Sequence, residues 1–289
     1  MAEAASIRFL KWDPIYEKER PFQIFMDLLP DAKDLRKTNI SWDEEVIGVQ
    51  DFRDQATDFH LDTHGFTSRR LPGFTELSDK DTIQGKYIPE IKAMLQRELG
   101  DVGTVFVFDW RIRSSRDETT TAKINFSDQT QPLLPSNYAH IDAGPMSVLQ
   151  RIQNSFPNDA ARILRQRIRA VNVWKPLSHP VEEWALAVCD GTTVKPDDLV
   201  ETDSIRQGSI STNYYVKYDE GQKWYFLKDQ KPDETLLFKH FDSEPGVEAP
   251  FALHSSIRHH HVAENARPRR SIEVRTLIFS ERFEGVGGC

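Results

Sequence analysis

Residues 269–280, RRSIEVRTLIFS, alternate in character, and at the period of two of an extended chain Arg269, Ser271, Glu273 and Arg275 fall on one face of a strand. Five runs upstream share its β-branched and aromatic enrichment and are separated by turn-rich connections: AVNVWKPL (170–177), EWALAVCD (183–190), NYYVKY (213–218), KWYFLK (223–228) and ETLLFKHF (234–241). TVFVFDWRI (104–112) adds a core strand, with Phe106, Phe108, Trp110 and Ile112 expected on one face. Together these runs predict a mainly β fold, a double-stranded β-helix (cupin-like jelly roll) with flanking helices packed outside. PEIKAMLQRELG (89–100) supplies one such helix, with Ile91, Met94, Leu95 and Leu99 spaced three or four apart, Pro89 near its start and Gly100 as terminator. A second helical stretch follows NYAHIDAGP (137–145), breaks at Pro157 and resumes as NDAARILRQRIRA, with Asn158 as the expected cap.

No repeat, low-complexity block or linker divides the 289 residues, so a single domain is expected over 1–289. Within it, 1–80 reads as an N-terminal arm of loops and short strands, 81–280 as the jelly-roll core with helices, and 281–289 as a flexible tail. The composition, 28% charged and 38% hydrophobic, is that of a soluble globular protein, and a net charge of -8 without a Lys/Arg run lacks the footprint that nucleic acid requires. Two cysteines, Cys189 and Cys289, supply neither a disulfide framework nor a thiolate zinc site, which fits a reducing compartment. The opening MAEAASIRFLKWDP has no basic segment before an apolar one, and no stretch approaches ~18 apolar residues, so neither export nor membrane spanning is expected. A cytoplasmic protein with a small-molecule substrate is the resulting expectation, and a homodimer follows only from the general symmetry preference of oligomers.

Three of the nine histidines begin a His-x-Asp triplet: His60/Asp62, His140/Asp142 and His240/Asp242. In an extended triplet the imidazole and carboxylate project from the same side, so both can reach one metal ion. A distant second imidazole completes a 2-His-1-carboxylate triad, which leaves open positions on Fe(II) for a bidentate oxoacid and for O2. His140 and Asp142 find that partner in His254, 112 residues beyond Asp142, and Arg269 stands 15 residues further on, where a guanidinium can pair with a free carboxylate of such an oxoacid. Arg269 with Ser271 is the first choice for that role and Arg275 the second. His240/Asp242 is only 12 residues from His254, too close for the intervening strands of a barrel. His60/Asp62 would need His140 and Arg151, and Arg151 lies in helical sequence. The run His259–His261 reads as a solvated loop, because consecutive residues on a strand cannot face one centre. Arg111, Arg113 and Arg116 read as a solvated strand end, and among the aromatics Tyr138 and Trp174 are the favoured walls of a substrate pocket because they neighbour the ligand segments.

With these residues in place, most of the chain resembles a known family. The likeness is carried by DFRDQATDFHLDTHGF (51–66), AHID (139–142), VNVWKPLSHPVEEWALAVCD (171–190), KPDDLV (195–200), KWYFLKDQKPDETLLFKHFDS (223–243) and PRRSIEVRTLIF (268–279). These resemble the Fe(II)/2-oxoglutarate-dependent oxygenases similar to 7α-cephem methoxylase and to fungal hydroxylase/desaturases of secondary metabolism, including meroterpenoid-pathway members. The resemblance implies His140, Asp142 and His254 as iron ligands and Arg269 with Ser271 as the 2-oxoglutarate anchor. It also implies a dioxygenase that hydroxylates, desaturates, rearranges or forms an endoperoxide on a largely apolar terpenoid, meroterpenoid or polyketide. The chain departs from the family pattern at Arg270, usually acidic, and over SSIRHHH (255–261) after the distal histidine. Two other readings share the fold: a cupin-like metal or small-molecule binder without turnover, and a peptide hydroxylase.

Overall fold

The computed structural model describes residues 2–29, 31–116, 128–206 and 208–283; the C-terminal EGVGGC lies outside them. Fourteen strands are present among these: β1 (Ala2–Leu10), β2 (Phe22–Ile24), β3 (Trp42–Asp51), β4 (Phe66–Arg70), β5 (Thr104–Ser114), β6 (His140–Ile141), β7 (Ile168–Leu177), β8 (Trp184–Cys189), β9 (Leu199–Arg206), β10 (Ser209–Val216), β11 (Trp224–Phe226), β12 (Glu234–Asp242), β13 (Leu253–Arg258) and β14 (Arg270–Phe279). They form a larger sheet in the order β1-β3-β11-β8-β13-β6-β10-β9-β2 and a smaller one in the order β4-β12-β7-β14-β5, and the two make the jelly roll that the strand series predicts. All six runs enriched in β-branched and aromatic residues lie on strands.

Alternation explains how the smaller sheet serves two cores. On β7, Trp174 joins Leu236 and Phe238 of β12 against Leu186, Val188 and Leu253 of the larger sheet, which fills the space between the sheets. The alternate residues, Val171 and Val173 with Leu237, Ile272 and Val274, pack outward against Ile91, Met94 and Leu95. Those three belong to helix α1 (Ile88–Leu99), which ends at Gly100 with φ of 72°, a conformation open to glycine. Each such buried side chain stabilises the fold by roughly 1.5–3 kcal/mol. The helical backbone begins before Pro89, at Lys80 under an Asp79 cap. A π turn over Ile83–Tyr87 then precedes the proline, which has no N–H to continue the ladder.

Three local expectations fail for identifiable reasons. A register shift opposite Arg275/Thr276 leaves Phe108 unpaired in a β-bulge, so Phe106 and Phe108 do not share a face with Trp110 and Ile112. The first two face a core near α2 (Pro145–Ser155), and the latter two face α1. The second helical piece is only Ala160–Ile163, preceded by Asp159 rather than Asn158 in the capping position, and its expected continuation RIRA opens β7. The N-terminal arm holds long strands: β1 pairs with β3 antiparallel from Ala2↔Gln50 to Leu10↔Trp42, and β3 joins the larger sheet alongside β11.

The two rejected His-x-Asp triplets share one structural cluster. Lys239, fully buried, lies 2.9 Å from Asp62 and 2.6 Å from Asp242, and Arg167 lies 3.0 Å and 2.8 Å from the same carboxylates. Burial would raise the Asp242 pKa, but its bonds to Arg167 and Lys239 outweigh that and hold it below the usual range. A depressed carboxylate stabilises the fold fully above its unfolded value, about 3.9, and loses that contribution as pH falls through the folded one. Asp242→Asn leaves Lys239 buried without its closest partner, so urea denaturation at neutral pH should show a loss of about 3–5 kcal/mol, shrinking below about pH 4.

Candidate metal centre

His140 lies on β6, Asp142 follows that strand immediately, and His254 sits directly opposite His140 on β13, with the two ring centroids 4.0 Å apart. One ligand atom from each of the three falls within 4.8 Å of the others. Asp142 Oδ1 is 3.3 Å from His140 Nε2 and 3.8 Å from His254 Nε2. The His140 Nδ1 sits 2.8 Å from the Tyr138 carbonyl, so that N–H donates there and Nε2 is the ring nitrogen turned toward the carboxylate. Gly144 closes the turn into α2 tightly: a Cβ there would stand 2.3 Å from a ring carbon of Tyr214.

The smaller sheet supplies the other wall. Asn172 on β7 donates to Asp142 Oδ2 at 2.9 Å, Arg275 Nη2 on β14 lies 3.1 Å from the same oxygen, and the Asp142 N–H donates to His240 Nδ1 on β12 at 3.2 Å. Burial would raise the Asp142 pKa, but Arg275, then His140, His254 and His240, outweigh it and hold the group well below the carboxylate range. Burial, with His140 alongside, pushes His254 well below the imidazole range, and burial takes His240 down to about 4. An anionic carboxylate beside two buried imidazoles is the donor set that suits a divalent first-row metal.

A cleft leads from this centre to Arg269, lined by Arg113, Ser136, His140, Trp174, Leu186, His254, Ser256, Arg269 and Glu273. The guanidinium of Arg269 is 1% exposed, stacks 5.5 Å from the Trp174 ring centroid, and donates from Nη1 to the Trp184 carbonyl and the Ser256 hydroxyl, both at 3.2 Å. Its Nε and Nη2, and the Ser271 hydroxyl, are buried and find no partner among the described residues. Burial, then repulsion from Arg113, pushes Arg269 down to about 9. Unpartnered buried donors cost about 1–3 kcal/mol each, so this is a site that gains from a carboxylate entering it.

Arg275 occupies a different place. It lies 3.1 Å from Asp142 and 3.2 Å from Asp109, and its Nε donates to Glu273 at 2.9 Å; these acids, against burial, raise its pKa. Tyr138 stands beside the centre, its ring 5.7 Å from His140, stacked on Trp42 and edge-on to Tyr215. Arg111 is 8% exposed and Arg113 lines the cleft, so this strand end is not solvated as expected: the chain over 128–134 runs across it, with Ser114 N–H donating to the Leu133 carbonyl. Arg116 is exposed, and the His259–His261 run is a loop in which His259 Nδ1 lies 3.0 Å from Glu3. Sequence reasoning missed Asn172, Asp109 and His240 as neighbours of the centre; the alternation of β7 and β12, which puts Asn172 beside Trp174 on the inner face, was the available signal.

A wider cavity of about 440 Å³ between Arg53, Ser68, Arg69, Arg70 and Glu234 offers no comparable chemistry, since Arg53 is paired with Glu234, Arg69 with Glu98 and Arg70 with Asp233.

The chain is also similar to known proteins along most of its length. A family profile described as an oxidoreductase/YMDC permease-like domain matches residues 7–279. The Fe(II)/2-oxoglutarate-dependent dioxygenase nvfI of Aspergillus novofumigatus is 33% identical over 85% of this chain and 87% of its own length. Hydroxylase/desaturase CTB9 of Cercospora beticola is 28% identical over 84% and 79% respectively. The solved structure of the iron and α-ketoglutarate-dependent endoperoxidase NvfI superposes with a TM-score of 0.83 at 29% identity, covering 96% of this chain and 98% of that one.

Proposed function

The chain belongs to the Fe(II)/2-oxoglutarate-dependent dioxygenases, oxidoreductases that use iron, 2-oxoglutarate and O2, and on that premise we propose that His140, Asp142 and His254 hold the iron while Arg269 and Ser271 seat the far carboxylate of 2-oxoglutarate. The observation that carries the assignment is the nearness of two unmet needs: His140 and His254, whose donor atoms converge with that of Asp142, line the same cleft as Arg269, whose Nε and Nη2 are buried without partners, as is the Ser271 hydroxyl two residues along the chain. Bound together, iron, 2-oxoglutarate and O2 supply the oxidation of an unactivated C–H bond, with 2-oxoglutarate consumed to succinate and CO2. The chain's own part is positional. Burial keeps the imidazole of His254 neutral, Arg275 keeps Asp142 anionic against its burial, and Trp174 and Leu186 wall the diacid off from water. Arg275, the second candidate anchor, takes no cosubstrate role in this reading, because three carboxylates already engage it.

The substrate is a largely apolar secondary metabolite of terpenoid, meroterpenoid or polyketide type, oxidised by hydroxylation, desaturation, rearrangement or endoperoxide formation. The support is the company of relatives, which carry hydroxylase/desaturase and endoperoxidase names, and the aromatic wall of Tyr138, Trp42 and Tyr215 beside His140. Turnover-free binding and peptide hydroxylation are disfavoured by the same relatives. A cytoplasmic homodimer completes the reading; no helix among the described residues is long and apolar enough to cross a membrane. The chemistry is tested by incubating a fungal metabolite extract with enzyme, Fe(II), ascorbate and 2-oxoglutarate and recording intact masses. Gain of one or two oxygen atoms, or loss of two hydrogens, in an apolar compound is expected. Modification confined to peptides would overturn the substrate class.

A further inference from the structure

A carboxylate ligand has two oxygens, and a triad that must keep positions open for an oxoacid and O2 is best served when only one of them reaches the metal. Asp142 meets that condition through its surroundings. Oδ1 faces the two imidazoles, whereas Oδ2 is 2.9 Å from the Asn172 amide and 3.1 Å from Arg275 Nη2. The same Asn172 nitrogen donates to Glu273 Oε1 at 3.0 Å, and Arg275 Nε donates to that oxygen at 2.9 Å, which closes a ring of four side chains. Asn172 is 2% and Glu273 4% exposed, so these two members of the ring are shielded from competing water. Asp109, directly opposite Arg275 on β5, adds a fifth member 3.2 Å from Arg275 Nη1. Resting on the iron-site reading above, we propose that Asn172, Arg275 and Glu273 are positioning residues that clamp Asp142 as a one-oxygen ligand and withhold its second oxygen from the metal.

The consequence is measurable without turnover. Outer partners of a metal ligand typically govern its affinity by 10–100-fold. Anaerobic Mn(II) titrations of the full-length protein should therefore show a loss of about 10–100-fold in Asn172→Ala and in Arg275→Met. At saturating Mn(II), Asn172→Ala should also bind 2-oxoglutarate more weakly than wild type, because a released Oδ2 competes for a position the oxoacid takes. The visible charge-transfer band of the anaerobic Fe(II)–2-oxoglutarate complex should shift in both variants, a change that mere loss of fold stability does not produce. Circular dichroism confirms folding, and if Arg275→Met does not fold, Asn172→Ala alone decides. Wild-type Mn(II) affinity in folded Asn172→Ala overturns the clamp, as does an Arg275→Met variant that keeps Mn(II) but loses 2-oxoglutarate. His140→Ala separates the two levels of the argument: if it binds Mn(II) as well as wild type, the iron site itself is misplaced, whereas if it loses the metal and the clamp variants do not, only the clamp fails.

Discussion

His254→Ala is expected to reduce Fe(II)-dependent conversion of 2-oxoglutarate to succinate at least about 10³-fold, since losing an outer partner alone costs 10–100-fold and this change removes a donor atom. His254 is 4% exposed, neutral by burial, and stands directly across from His140. The nearest spare imidazole, His240, has its Nε2 3.9 Å from Asp142 Oδ2, on the opposite side of the carboxylate from Oδ1, and its Nδ1 is committed to the Asp142 N–H. It cannot substitute without releasing that bond. Succinate formation and bound iron per chain, measured on the same folded sample, should fall together. Retention of a tenth or more of either would remove His254 from the centre.

Much of this site was legible because period-two alternation converts spacing directly into facing. Ser271, Glu273 and Arg275 do lie on the inner face of β14, with Arg269 just before its start, and the His-x-Asp order with a distant histidine singled out the three residues whose ligand atoms converge. Alternation could not say which of two inward arginines would be neutralised. That depended on strand register, which sets Asp109 directly opposite Arg275 on the neighbouring strand. The third dimension also hid Asn172 and His240, which meet Asp142 across the gap between the sheets. The N-terminal strands were readable in part: Ala5, Ile7 and Phe9 alternate with exposed residues along β1, but the intervening turn formers masked a pairing that spans some forty residues.

Arg269→Ala should raise the 2-oxoglutarate concentration required for half-maximal succinate formation by about 10²–10³-fold, with a smaller effect at saturation. Truncating one partner of a buried charge pair costs about 2–5 kcal/mol, and at this site Ser271 would be the remaining orphaned donor for the diacid's far end. Arg269→Lys should recover only part of the loss, because the ammonium lacks the planar fork and the stacking on Trp174. A succinate assay across 2-oxoglutarate concentrations checks this at saturating Fe(II). An unchanged requirement in Arg269→Ala would move the anchor to another residue.

The most direct measurement is an anaerobic crystal structure of the protein with Fe(II) and 2-oxoglutarate. The account predicts iron bound by His140, Asp142 through Oδ1 alone, and His254, with the diacid's far carboxylate on Arg269 and Ser271. Iron held by any other set of side chains, or the diacid's far end resting on Arg275 with Arg269 unengaged, would contradict it.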